Sequence, residues 1–391
     1  MSPLTGISGL YGIGLVYGGP VVLVWGWVLA SILTTCVSLA LSELSSAFPV
    51  SGGLYFWAFM LGRQTGPFAS WCVGWTNFLG QIALVAADTF SCVQLFLSFL
   101  YLVSLDSSGS GYYPSNALQL YLFGGLLLIF AIINVQPLSV VGRLSELGAL
   151  FNLLGTIVWT SERLCHNHEK QPKFRDLKRH VHLLVGPIAR FALSGISGLP
   201  FLIALTLCIQ DVGQLTDSDN GFDGINIVAQ LLWQAYKTRF STGIASLSLF
   251  AIPLGANFIS ALYSITSASR MLFGLSRDQA IPFSTTWQKV DESSGAPHCA
   301  VWGVTGASFI LGLPLLNGVT AFSATTSIAC AGLALTYSLP ILLRILFRSN
   351  YLEAGPFTLG RWSIPVGVVA CIQAGTKAFM HEYTQLNVKK R

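Results

Sequence analysis

The sequence predicts an all-α fold, a bundle of helices that crosses a lipid bilayer several times. Three observations predict it: a shortage of charge, apolar runs of spanning length, and basic residues gathered in alternate loops. Of 391 residues, 53% are hydrophobic and only 9% charged, where a soluble domain carries about 25% charged residues. A water-facing fold of this length needs a charged surface that this chain lacks. The mean hydropathy of +0.64 agrees. The apolar side chains must face something other than water, which makes the lipid bilayer the first partner the sequence implies.

A membrane-spanning helix needs about 20 apolar residues. Gly6 to Tyr17 is a short, glycine-rich apolar piece. Pro20 to Phe48 is long enough to span, and Pro67 to Leu105 holds a full span and more. Leu118 to Val135 spans, Leu147 to Trp159 is apolar but short, and Pro187 to Ile209 spans. Thr242 to Leu275 spans and runs into a basic stretch. Cys299 to Leu316 and Ala321 to Phe347 span, and Ile364 to Phe379 is short and ends in a polar tail. That makes roughly seven to ten membrane segments.

Charge gives the orientation. Lys and Arg collect at Arg63, at Arg143, in 161–190, at Arg270, Arg277 and Lys289, and at Arg344, Arg348 and Arg361. By the positive-inside rule these loops are cytoplasmic. The loops Asp106 to Asn116 and Asp211 to Phe240 are poor in basic residues and are placed outside. Arg143 and the 161–184 segment then both lie inside. The run between them is about two-thirds of a span, too short to cross.

Residues 161–184 are polar and basic and hold four of the six histidines. Cys165, His166 and His168 with His180 and His182 suggest a metal, but zinc ligands pair about two to five residues apart across a defined loop. These pairs are separated by one residue, so the segment reads as a solvated loop. Most of the eight cysteines lie in apolar runs and no CxxC occurs, which fits small apolar helix residues. No metal or cofactor is expected, nor a nucleic-acid partner. The start Met1-Ser2-Pro3 lacks the basic flank of a cleavable signal.

Three stretches carry more than hydropathy. The first is LTGISGLYGIGLVYGGP, residues 4–20, with glycines at 6, 9, 12, 14, 18 and 19. Glycine allows close helix packing and also allows unwinding. Unwound backbone at membrane depth is tolerated only where it lines a cavity, and there it offers N–H and C=O groups to a charged solute. A dinucleotide-binding loop does not fit, because no strand precedes it and the spacing is wrong. The second is SELSSAFPVSGGLYFW, residues 42–57, which reads locally as a helix exit and turn around Glu43 and Pro49. The third is SASRMLFGLSRDQAIP, residues 267–282, a helix end with Arg270, Arg277 and Asp278 before a proline stop.

Taken together and in this order, these stretches resemble the amino acid–polyamine–organocation (APC) permeases, above all their fungal amino acid, choline and GABA branch. GWTNFLGQIAL, LPFLIALTLCIQD, AFSATTSIA and PILLRILF with GPFTLGRWS add to the resemblance, which covers most of 1–160 and 186–370. It implies two inverted five-helix repeats with broken first and sixth helices and a substrate near the midplane. The substrate would be an amino acid, GABA or choline, moved by a secondary transporter coupled to protons. Carried over by position, the first break falls at Leu4, Thr5, Gly6 and Ile7, whose backbone N–H groups would hold a carboxylate. Asn77, Gln81 and Leu84 would face the substrate from the third helix, and Asn257 and Ser260 from the eighth. Interhelical hydrogen bonding is the other use for such polar residues.

Asp88 is the one acid deep within an apolar run. Such a carboxylate is costly in a membrane and marks a functional position, as a carrier of the coupling proton. Pairing with a neighbouring polar group, or a place near the outer edge, is the simpler account and comes before it.

The resemblance divides the chain into an N-terminal permease half (1–160), a basic segment (161–186), a C-terminal half (187–380) and a polar tail (381–391). It also implies departures. The half-helix before the first break is absent, the sixth helix is replaced by 161–184, and the last two helices are missing. The alternative is therefore a truncated, non-transporting membrane protein derived from such a permease. An enzyme would need a catalytic constellation at membrane depth; Asp88 stands alone there and the histidines lie in loops. No ring of acids or carbonyl filter points to a channel. The plasma membrane is the expected location.

Overall fold

A computed structural model describes residues 3–50, 52–105, 111–112, 115–164, 198–203, 205–206, 209, 226–240, 244–291, 294–314, 319–347 and 355–388. Within them the chain is helical and forms no strand. The helices are α1 (Pro3–Ala47), α2 (Leu54–Leu61), α3 (Gly66–Val103), α4 (Asn116–Asn134), α5 (Leu138–Leu164), α6 (Ile227–Phe240), α7 (Ile244–Arg277), α8 (Ser284–Trp287), α9 (His298–Gly312), α10 (Val319–Phe347) and α11 (Ser363–Val388). The basic 161–184 segment and its Cys/His pairs lie almost wholly outside the described residues, as does most of the 187–209 span.

Five described segments are long and apolar enough to cross a bilayer: Gly18–Ala47, Arg63–Val103, Asn116–Asn134, Ser246–Arg277 and Ala324–Phe347. Leu4–Val16 and His298–Gly312 are apolar but shorter. On the first of the long helices Val21, Trp25, Leu29 and Ile32 recur at helical spacing and are each about two-thirds exposed, Trp25 at 70%. Large apolar side chains along one outward helix face need a non-aqueous solvent. The protein is a polytopic membrane protein.

Two elements run further than the hydropathy of the sequence suggests. The short apolar run 147–159 belongs to α5, a helix of 27 residues. Arg143, Ser145 and Glu146 interrupt the apolar run without breaking the helix, because none of them withholds a backbone hydrogen bond. Likewise α11 continues to Val388, through the stretch read as a polar tail.

The chain forms two compact units, 1–28 with 88–173 and 194–263, and 29–87 with 174–193 and 264–391. In the first unit α1 begins at Pro3 and stays helical to the break at Gly19, with φ 67° and ψ 176°. Pro20 follows directly. It has no N–H and its ring clashes with the carbonyl four residues back, and it keeps the preceding residue out of the helical region. A side chain at that positive φ would cost roughly 1–3 kcal/mol. The non-helical backbone of the glycine-rich stretch is therefore at Gly19, while Leu4 to Ile7 form a helical first turn. Leu4, Ile7, Tyr11 and Leu15 repeat every three or four residues and are buried against Leu95 of α3 and Val228 and Leu232 of α6.

In the second unit, α3 and α10 cross at backbone contact. A methyl group added at Gly80 would lie 3.2 Å from the Leu333 nitrogen, and one at Gly332 would lie 3.1 Å from the Gly80 Cα. Ser308 of α9 donates to the Ile82 carbonyl at 3.4 Å. Gln373 of α11 donates to Thr34 at 2.9 Å. Near the end of α1, Glu43 receives Arg344 of α10 on both carboxylate oxygens at 2.8 Å and the Leu359 N–H at 3.3 Å. Beside it, Ser46 accepts the Phe357 N–H at 2.9 Å.

The Glu43 side chain is only 5% exposed and Arg344 19%, so removal of one partner strands a buried charge. Arg344→Met is expected to destabilise the protein by about 3–5 kcal/mol, and Glu43→Leu combined with Arg344→Met by much less. Thermal unfolding in detergent of the two singles and the double checks this. Additive losses would contradict it.

Candidate functional site

The first unit collects polar groups at three places. In the first turn of α1, Leu4, Thr5 and Ile7 are buried and Gly6 is exposed. The Ser8 hydroxyl donates back to the carbonyls of Leu4 and Thr5. Two glycines of the same stretch serve close packing. A methyl group at Gly9 would lie 2.6 Å from Ser91 Oγ, and one at Gly12 would lie 2.9 Å from Ile227 Cδ1.

The second place is the crossing of α3 and α7. Ser260 Oγ donates to Asp88 Oδ2 at 3.5 Å, and Asn257 Nδ2 donates to Ser91 Oγ at 3.4 Å. Asp88 and Ser91 are three residues apart, as are Asn257 and Ser260. The order of pairing makes the two helices antiparallel here, with one polar face on each. Asn257 is 1% exposed. Asp88 and Ser260 thus meet directly, and Asn257, one turn away, meets Ser91, which the sequence reading passed over. α4 packs beside them through Phe130 and Phe258, edge to face at 4.8 Å, and through Asn134, whose Nδ2 donates to the Leu262 carbonyl at 3.1 Å.

The third place is Asn226, also absent from the sequence reading. Its side chain donates to the Ser8 carbonyl at 2.9 Å and its backbone N–H to Ser98 Oγ of α3 at 3.0 Å. No local pattern marks it, because its partners lie 218 and 128 residues away.

In the second unit, Asn77, Gln81 and Leu84 fall on one face of α3 by their spacing of four and three. Asn77 Nδ2 approaches Met271 Sδ at 3.4 Å. Asn77 Oδ1 and Gln81 Oε1 are buried without a hydrogen-bond partner among the described residues. Buried acceptors are costly when unmet, so an unmet pair on one face calls for a ligand or water. Among the described residues no three His, Cys, Asp or Glu gather as a metal site would require.

The two helix-exit stretches also meet in this unit. The Tyr55 hydroxyl donates to Asp278 Oδ2 at 2.7 Å, and Arg277 Nε contacts Asp278 Oδ1 at 3.2 Å. Burial first, and then the Asp278 carboxylate, push the Tyr55 hydroxyl up to about 12. An unfolded tyrosine ionises near 10. The folded state therefore holds the Tyr55 proton more tightly. The stability this adds is complete below about pH 10 and is lost as the pH rises through about 12. The unfolding midpoint of the unmodified chain is expected to fall more steeply between those pH values than that of Tyr55→Phe. Parallel curves would contradict the assignment.

Sequence comparison adds the family. The profile of a family described as amino acid permease matches residues 2–160 and 169–380. The amino-acid permease BAT1 of Arabidopsis thaliana is 32% identical over 95% of this chain and 80% of its own length. Its homolog in Oryza sativa is 31% identical over 96% and 80%. The GABA-specific permease of Saccharomyces cerevisiae is 26% identical over 93% of this chain and 70% of its own length. The match spans both units, the α3–α7 crossing and the paired helix-exit stretches. The chain belongs to the amino acid permease family of membrane transport proteins.

Proposed function

We propose that the chain carries an amino acid or a related amine across the plasma membrane, as a secondary transporter coupled to protons. Membership of the permease family supports an amino-acid substrate rather than a chemical reaction. GABA enters through the yeast relative named for it, and choline through the resemblance set out above.

The reading assigns the substrate carboxylate to the first turn of α1, at Leu4, Thr5, Gly6 and Ile7. The family resemblance set out above supports that placement. Asn77, Gln81 and Leu84 are assigned as substrate-facing residues of α3. The unmet oxygens of Asn77 and Gln81 suit a donor such as a primary ammonium, whose three N–H groups have no acceptor role. Choline has no N–H to offer them, so the same oxygens favour an amino acid or GABA over choline. Asn257 and Ser260 are assigned to the α7 side of the substrate path.

Asp88 is assigned the coupling proton. The observation that carries this is its contact with Ser260 at the crossing of α3 and α7. Ser260 offers the carboxylate one long hydrogen bond and no compensating charge. A carboxylate at membrane depth is costly to keep and marks a position used for ion or proton movement.

The test is uptake against external pH. Uptake by the unmodified chain is expected to rise as the outside is acidified. Asp88→Asn is expected to flatten that dependence and to lower uptake at the acidic end by about tenfold or more, the equivalent of ~1.4 kcal/mol. An unchanged pH profile in Asp88→Asn would remove the proton assignment. Conversely, a flat profile in both chains, with uptake intact, would leave transport standing without proton coupling.

A further inference from the structure

Asn226 uses its two donors to join helices and its two acceptors to cap the helix it starts. Its backbone N–H donates to Ser98 Oγ on α3, and its Nδ2 donates to the carbonyl of Ser8 on α1. Its Oδ1 accepts the Val228 N–H at 2.9 Å, which caps the start of α6 in the manner of an Asx residue. Its own carbonyl accepts from Ala229 and Gln230 at 2.9 and 3.2 Å. Ser8 and Ser98 are 1% and 3% exposed, so water does not replace these bonds.

The Ser8 contact is the informative one. A helical carbonyl normally serves the N–H four residues on and needs no second donor. Here it receives one from a residue outside α1. Ser8 in turn closes its hydroxyl on the carbonyls of Leu4 and Thr5. A single chain of hydrogen bonds thus runs from the start of α6 through Asn226 and Ser8 into the first turn of α1, and its other arm reaches α3.

We infer that Asn226 is a positioning residue for the first turn of α1: it ties that turn to α3 and α6 and sets where its N–H groups point. The inference rests on the reading above that this turn receives the substrate carboxylate. Asn226 touches no substrate in this account and acts through Ser8.

Asn226→Asp separates the tether from the cap. The carboxylate keeps an oxygen for the Val228 N–H and keeps the backbone bonds, so the start of α6 remains capped. It replaces the donor to Ser8 with an acceptor facing a carbonyl. In the full chain in lipid nanodiscs, hydrogen exchange of amides 7–15 is expected to quicken by up to about tenfold, the range of one lost hydrogen bond. Amides 229–236 of α6 should stay protected as in the parent. Uptake of radiolabelled L-alanine, L-glutamate, L-lysine and γ-aminobutyrate, taken as the probes, should show KM raised several-fold for the transported probe, with the maximal rate per molecule in the membrane close to the parent's.

Unchanged exchange at 7–15 overturns the tether, and so does equal loosening of α1 and α6, which would mark general destabilisation. Faster exchange at 7–15 with an unchanged KM overturns the positioning role. If the parent takes up none of the four probes while the variant still loosens residues 7–15 alone, the tether is supported and the transport reading is what falls. Asn226→Ala, which loses tether and cap together, should loosen both segments.

Discussion

A polar group inside a lipid bilayer has no water to turn to, so each must find its partner within the protein. That requirement governs this chain. Its helices are apolar enough to be interchangeable as greasy cylinders, and apolar contact alone does not distinguish one lipid-bathed face from another. The few polar side chains do. Asp88 with Ser260 and Ser91 with Asn257 set which faces of α3 and α7 meet. Asn134 reaching the Leu262 carbonyl does the same for α4 and α7, and Glu43 with Arg344 for α1 and α10. The residues that select the packing are also those with chemistry to offer a solute. In a membrane bundle these two roles draw on one small set of side chains.

Much of this was legible in the sequence because lipid imposes a crude and strong pattern. The run from Pro20 to Phe48 is the helix Gly18–Ala47, Pro67 to Leu105 is Arg63–Val103, and Ala321 to Phe347 is Ala324–Phe347. Asp88 stood out as an acid within an apolar run, Asn257 and Ser260 came from the family resemblance, and Asp88 and Ser260 meet directly. The pairing of Asp88 with a neighbouring polar group was one of the three accounts of that residue, and the Ser260 hydroxyl supplies it. What the pattern concealed has a physical cause in each case. A hydropathy run ends at Arg143 or Glu146, but a helix does not, since neither residue breaks the backbone ladder. The glycine-rich stretch allowed packing or unwinding at any of six glycines. Only Gly19 precedes a proline, and only there does the backbone leave the helix.

The remaining residues were hidden because their meaning is non-local. Glu43 and Tyr55 looked like parts of one helix exit and turn, and Arg277 and Asp278 like a basic cap. The structure joins Tyr55 to Asp278 and Glu43 to Arg344 and Leu359, so stretches that read singly as punctuation act as connections within one unit. Asn226 is the extreme case. It lies directly before α6, after a stretch of sequence rich in acids and glycine, and its role follows entirely from Ser8 and Ser98, far away along the chain. No periodicity or local motif signals such a residue.

The central claim is that the polar faces held together by these bonds serve the passage of a small amino-acid-like solute. Uptake by the purified chain in proteoliposomes, with an inward proton gradient imposed, tests it most directly. The account predicts saturable accumulation of at least one amino acid or GABA, abolished when the gradient is collapsed. Uptake no greater than in protein-free liposomes, for every solute offered and at every gradient, would contradict it.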